Sequence, residues 1–129
     1  MKSMKVKDIM SHKIITIKST DTLTDASKTM KANKISCVPI TNDNKIVGII
    51  TTTDLVNIYT SADKEQHMDP WSPVSKFMSS PVHTVKEDED VKVASSVMNE
   101  KKFHHLLVMD KDGKYIGIIS SLDIAKALN

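Results

Sequence analysis

The chain contains no arginine: all 18 of its basic residues are lysine, set against 16 acids. Any bound anion is therefore held by Lys, His or backbone N–H groups and not by the bidentate guanidinium fork. A single cysteine, Cys37, excludes an internal disulfide and any zinc site made from several thiolates. It points to a reducing cytoplasm. Only 4% of the 129 residues are aromatic, so the core has to be assembled from Ile, Val, Leu, Met and Ala. No apolar run approaches the ~20 residues of a membrane span, and the opening stretch MKSMKVKDIM lacks the apolar run of a signal peptide. The net charge of +2 comes from both signs spread along the chain, without the basic block that marks a nucleic-acid-binding face. A Gly-rich phosphate loop, a Ser-His-Asp set and a metal-ligand cluster are likewise missing. The reading is a protein that is not an enzyme, needs no cofactor and holds no metal.

What the chain has is a repeat. The segment GIITTTDL (48–55) returns as GIISSLDI (117–124). At a constant spacing Val6 matches Val74, Met10 matches Met78, Ser11 matches Ser79, Thr16 matches Thr84, Ala26 matches Ala94 and Met30 matches Met98. One extra residue near Gly113 then shifts the register, and a single insertion in a turn is what a duplicated fold tolerates best. The chain divides into two copies, residues 5–56 and 73–125, around a polar linker at 57–72 that runs into Pro70 and Pro73.

Each copy predicts the order β, α, β, β, α. A short strand, IITI (14–17) or VHTV (82–85), precedes a helix whose apolar face carries Leu23, Ala26 and Met30, or Val91, Ala94, Val97 and Met98. Thr22 with Asp25 reads as that helix's N-terminal cap. SCVPI and KIVGII, like HHLLV and KYIGII, read as hairpin strands across the polar turns NDN and DKDG. A second helix opens at Thr51 or Ser120. One copy of about 50 residues is marginal alone, so the fold class expected is α+β, with two pseudo-symmetric repeats packed through their sheets about an approximate two-fold axis.

The recurring G-h-h-[ST]-x-x-D has two readings. Gly48 and Gly117 sit late in strands, where a missing side chain lets another backbone or a ligand ring approach. Thr51 and Ser120 stand at helix N-caps, whose first N–H groups are expected to point outward unpaired. Asp54 and Asp123 can accept both hydroxyls of a ribose diol. The same spacing is also a capping box, in which hydroxyl and carboxylate hold the helix start and no ligand is needed. The methionines at 10, 30, 78 and 98 read as core filler. Cys37 reads as a buried thiol, and Trp71 as a residue that closes over an apolar edge.

The paired units, each with an opening V-x-D-I-M or V-x-K-F-M and the G-h-h-[ST]-x-x-D close, resemble a tandem of cystathionine beta-synthase (CBS) domains, a Bateman module of the stand-alone kind. The resemblance covers nearly the whole chain. It implies a regulatory sensor that binds an adenosine-containing ligand such as AMP, ADP, ATP or S-adenosylmethionine between the repeats, forms a homodimer and acts on a partner enzyme or transporter. The family's sites are crossed. Carried over, one cleft combines Thr51 and Asp54 with Thr84, Phe103, His104 and His105; the other combines Ser120 and Asp123 with Thr16, Ile35, Ser36 and Cys37. The first carries imidazoles where related pairs place basic groups against phosphates, and Lys101 and Lys102 could add charge at its mouth. The second offers a hydroxyl and a thiol, and is expected to bind more weakly, to prefer a less charged ligand or to stay empty. His104 and His105, as strand neighbours, point to opposite faces, so one of them enters the cleft. The absence of arginine favours AMP or ADP over ATP. The alternative is a ligand-free dimerising scaffold.

Overall fold

The computed structural model describes residues 3–60 and 69–128. In chain order its elements are α1 (Val6–Ile9), β1 (Ile17–Lys18), α2 (Leu23–Asn33), β2 (Cys37–Asn42), β3 (Lys45–Thr51), α3 (Thr52–Thr60), a 3-10 turn (Val74–Lys76), β4 (Thr84–Lys86), α4 (Val91–Lys101), β5 (His105–Met109), β6 (Tyr115–Ser120) and α5 (Ser121–Ala127). The expected β-α-β-β-α order recurs in both halves. The first strands lie one to three residues later than the sequence pattern suggests, because pairing, not local apolarity, fixes where they begin. The segment assigned to the linker opens within α3, which continues to Thr60; residues 61–68 lie outside the described residues.

The chain forms two compact bodies, one of residues 15–82 and one of residues 1–14 with 83–129. In the first, β1 runs parallel to β2 and β2 antiparallel to β3, giving the order β1-β2-β3. Asp43 and Asn44 connect β2 to β3 with φ of 52° and 63°. Two consecutive positive φ values make the tight hairpin turn whose twist matches that of its strands. Thr22 caps α2: its hydroxyl accepts from the Asp25 N–H at 3.1 Å and its own N–H donates to Asp25 Oδ2 at 2.9 Å. The Thr22 N–H, together with its hydroxyl at 3.1 Å, donates to that oxygen and holds the Asp25 carboxyl below the usual carboxylate range. The core is Ile17, Leu23, Ala26, Met30, Val38, Ile40, Ile50 and Val74.

The second body repeats the plan with β4-β5-β6, parallel then antiparallel. The extra residue sits in the turn at 110–113, where Asp110 Oδ1 accepts from the N–H groups of Asp112 and Lys114, both at 2.9 Å. Gly113 takes a φ of 80° there. The core uses the matching positions Val85, Ala94, Met98, Leu106, Val108 and Ile119, together with Val6 and Met10.

Those last two residues belong to the opening of the first sequence copy, yet they are buried in the body that holds the second copy's strands. Val74, from the second copy, is fully buried among the first copy's strands. Backbone bonds fix the exchange. Val6 N–H donates to the Glu89 carbonyl at 2.9 Å and Val91 N–H to the Met4 carbonyl at 2.8 Å; in the other body Val74 N–H donates to Asp21 at 2.8 Å and Leu23 N–H to Ser72 at 3.0 Å. The opening segments then lie along the third strands. Ser11 and Ile118 exchange two bonds of 2.8 and 2.9 Å, and Ile49 and Ser79 two of 3.1 and 2.9 Å. A Cβ on Gly117 would stand 2.6 Å from the Ser11 carbonyl oxygen, and one on Gly48 would meet the Met78 thioether. Of the two approaches that the sequence allowed at these glycines, the structure shows a backbone.

Met10, Met30 and Met98 are buried, and Met78 packs against its core. Trp71 does not close over an apolar edge: it is 73% exposed, because the neighbouring Pro70 and Ser72 carbonyls, not the indole, make the bonds to the start of α2.

Candidate functional site: two capped strand-to-helix corners

In each body the third strand passes directly into the second helix, and the corner is built by the same three bonds. Thr51 N–H donates to Asp54 Oδ2 at 2.9 Å, and Thr51 Oγ1 accepts from Asp54 N–H at 3.1 Å. Ser120 and Asp123 repeat both distances. The hairpin register brings the carbonyl of the residue before the second strand over the helix start. Thr52 N–H donates to Ser36 at 2.9 Å, and Ser121 N–H to His104 at 2.8 Å. The expectation of unpaired first-turn N–H groups is therefore corrected for Thr51, Thr52 and Asp54 and for their counterparts. Strand carbonyl, cap hydroxyl and carboxylate already satisfy them.

Both acids thus fold back on the N–H of the cap residue three positions earlier. Each does so through Oδ2. A carboxylate has about four lone-pair positions. One oxygen can hold the cap while the other accepts from a ligand hydroxyl, and both side chains are partly exposed.

Around the first corner, Cys37 lies opposite Thr51 in the strand register. Burial, aided by the Asp54 charge, pushes its thiol up to about 12. It is a neutral wall and not a nucleophile. Ile35 is half-buried against the core and Ser36 is exposed. Thr16 is exposed just before β1. Around the second corner, His105 lies opposite Ser120. Phe103 packs its ring 4.5 Å from that of His83. His104 is exposed, with Nδ1 3.5 Å from Ser121 Oγ, while His105 is half-buried in the strand. Thr84 begins β4 and is exposed.

The structure therefore gathers Ile35, Ser36, Cys37, Thr51 and Asp54 at one sheet end, and Phe103, His104, His105, Ser120 and Asp123 at the other. The crossed combinations draw on both bodies. Sequence reading missed the opening segments as partners of the glycine strands. Their signal was present in the four-residue spacing of Val6 with Met10 and Val74 with Met78, one turn of helix apart. Among the described residues no three His, Cys, Asp or Glu side chains converge to hold a metal ion, and no helix is long and apolar enough to cross a membrane.

Two three-stranded sheets with duplicated capped corners define a pair of like domains, and the comparisons say which. The CBS domain model matches residues 6–61 and again 74–129, and the chain belongs to that family. It is 37% identical over 125 residues to an uncharacterized 17.7 kDa protein in the bps2 3′ region of Acidianus ambivalens, covering 96% of this chain and 73% of that one. The CBS domain pair of protein MJ0100, solved with 5′-methylthioadenosine and S-adenosyl-L-methionine, superposes with a TM-score of 0.83 at 27% identity, covering 98% of this chain and 97% of that one. CBSX2, solved with AMP, gives 0.76 at 25% identity, with coverage of 96% and 95%. The chain spans between 21% and 73% of the length of the curated relatives that it matches.

Proposed function

We propose that the chain is a regulatory module, not a catalyst, that senses an adenosine-containing ligand in clefts between its two repeats. The observation that carries this reading is the duplicated corner in which a partly exposed aspartate caps a helix through one of its two oxygens. A ribose offers two adjacent hydroxyls, and charge-assisted hydrogen bonds of this type contribute roughly 1.5 to 3 kcal/mol each. Neighbouring structures that hold AMP, methylthioadenosine and S-adenosylmethionine support the ligand class. One cleft combines Thr51 and Asp54 with Thr84, Phe103, His104 and His105; the other combines Ser120 and Asp123 with Thr16, Ile35, Ser36 and Cys37. With lysine as the only strong cation, AMP or ADP is favoured over ATP, and S-adenosylmethionine is a further candidate.

Signalling requires that the ligand prefer one arrangement of the module over another. The readout is a homodimer surface acting on a partner enzyme or transporter in a reducing cytoplasm. Exposed apolar residues on the second helices, Val56 and Tyr59 on α3 and Leu122 on α5, with Leu128 just beyond its end, support such a surface. Calorimetry with AMP, ADP, ATP and S-adenosylmethionine tests the reading. Asp54→Ala and Asp123→Ala are each expected to weaken binding in their own cleft by tenfold or more. Binding unchanged in both variants, or absent from the parent protein, refutes it. The fully formed capping boxes favour a second reading, a ligand-free dimerising scaffold. It predicts a thermal stability that none of the four compounds alters.

A further inference from the structure

We propose that the groove between α2 and α3, within the body of residues 15–82, is the docking surface for the regulated partner, and that the partner lays an acidic amphipathic helix into it. The inference rests on the reading of the chain as a module that acts on a partner, and adds the chemistry of what it binds. The groove encloses about 440 Å³. Its apolar lining is Leu23 from α2, Leu55 and Tyr59 one turn apart on α3, and Pro70. Lys28 and Lys31 line it from α2, both exposed, and none of the described residues lining it is a carboxylate. One end is fixed in place, because the Pro70 carbonyl accepts from the Thr24 N–H at 3.1 Å and from Thr24 Oγ1 at 2.9 Å. Trp71 follows directly. Its N–H donates to Asp69 Oδ1 at 2.9 Å while the residue stays 73% exposed. Tryptophan and tyrosine are among the residue types most enriched at the hot spots of protein interfaces.

Charge and symmetry choose the occupant. An apolar floor edged by two lysines is complemented by an apolar stripe flanked by acids, the pattern of a helix laid in a groove. A second copy of this chain docked here about a two-fold axis would set the same patch against itself, lysine against lysine. Val56 and Leu122, which lie outside the groove, remain for the self-contact. The 11 residues of α2 run about 16 Å, enough to seat about three turns of a facing helix. At the repeat spacing, Ser96 and Asn99 stand where the first copy has Lys28 and Lys31, and Ser3 stands where the second has Trp71. The surface therefore belongs to one half of the duplication.

The test is a titration of the full chain with a labelled synthetic helix of about 15 residues, leucine on one face and glutamate on its flanks, read by anisotropy. Trp71, the single tryptophan, supplies a second readout through its emission. Saturable binding with a blue shift of Trp71 is expected. The double variant Lys28→Glu with Lys31→Glu, both changes of exposed side chains, should weaken binding tenfold or more. Lys92→Glu, an exposed lysine on α4 in the other body, should leave it unchanged. No saturable binding, equal binding of the same helix with lysine in place of glutamate, or binding that survives the double reversal overturns the proposal. So does a Trp71 shift that follows protein concentration without peptide, which puts a second copy in the groove. Calorimetry with the adenosine compounds keeps the two readings apart: peptide binding without nucleotide binding removes the sensor alone, and the converse removes the groove alone.

Discussion

Replacing Gly117 by alanine asks how firmly the opening segment is seated. A Cβ at that position lies 2.6 Å from the Ser11 carbonyl oxygen and 2.9 Å from Met10 Sδ. The thioether can swing away, but the carbonyl cannot, because the Ile118 N–H holds it at 2.9 Å. The segment must therefore lift. Forcing a methyl into packed structure costs about 1–3 kcal/mol. Losing one or two bridge bonds adds roughly 1 kcal/mol each. Against this, alanine narrows the unfolded ensemble by about 0.4–1 kcal/mol. The net expectation is a loss of about 2–4 kcal/mol. At Gly48 the nearest atoms are the flexible Met78 side chain, with the Ser79 carbonyl oxygen at 3.1 Å, so Gly48→Ala should cost about 1–2 kcal/mol. Urea unfolding of both variants measures the difference. A Gly117→Ala loss below about 0.5 kcal/mol, within the range of an ordinary surface change, or a larger loss at Gly48, refutes the argument that a backbone occupies the space above Gly117.

Val6→Ala should destabilise by about 1–3 kcal/mol, and hydrogen exchange should quicken more at Leu106, Val108 and Ile119 than at Val38 and Ile40; the opposite pattern places the opening segment on its own copy. Cys37 has its pKa raised from 9.0 to about 12, so the folded state holds the proton more tightly than the unfolded one. Its stabilising contribution is complete below pH 9 and is lost as pH rises toward 12. Between pH 9 and 10.5 the parent protein should lose about 1–2 kcal/mol more than Cys37→Ala does, and parallel curves would count against a buried neutral thiol.

The duplication, the element order, the α2 cap, the hairpin at 43–44 and the core positions were all legible in the sequence, because each rests on local chemistry or on periodicity. The corner motif was legible only as a choice. Its spacing fits a capping box and a ribose-binding carboxylate equally, since both need a hydroxyl at the cap and an acid three residues later. In the folded corner the cap uses Oδ2 of each carboxylate. The strand carbonyls of Ser36 and His104, which satisfy the helix-start amides, could not be foreseen, because they arrive through sheet register.

Periodicity alone also established that the chain is built twice and that each opening segment has an apolar stripe to bury. It could not say on which sheet. Val6 equals Val74, Ala26 equals Ala94 and Met30 equals Met98, so both cores present nearly the same surface to either segment, and no local preference separates them. Only the tertiary structure made that choice, where the backbone bonds at Glu89 and Ile118, and at Asp21 and Ile49, seat each segment on the strands of the other copy.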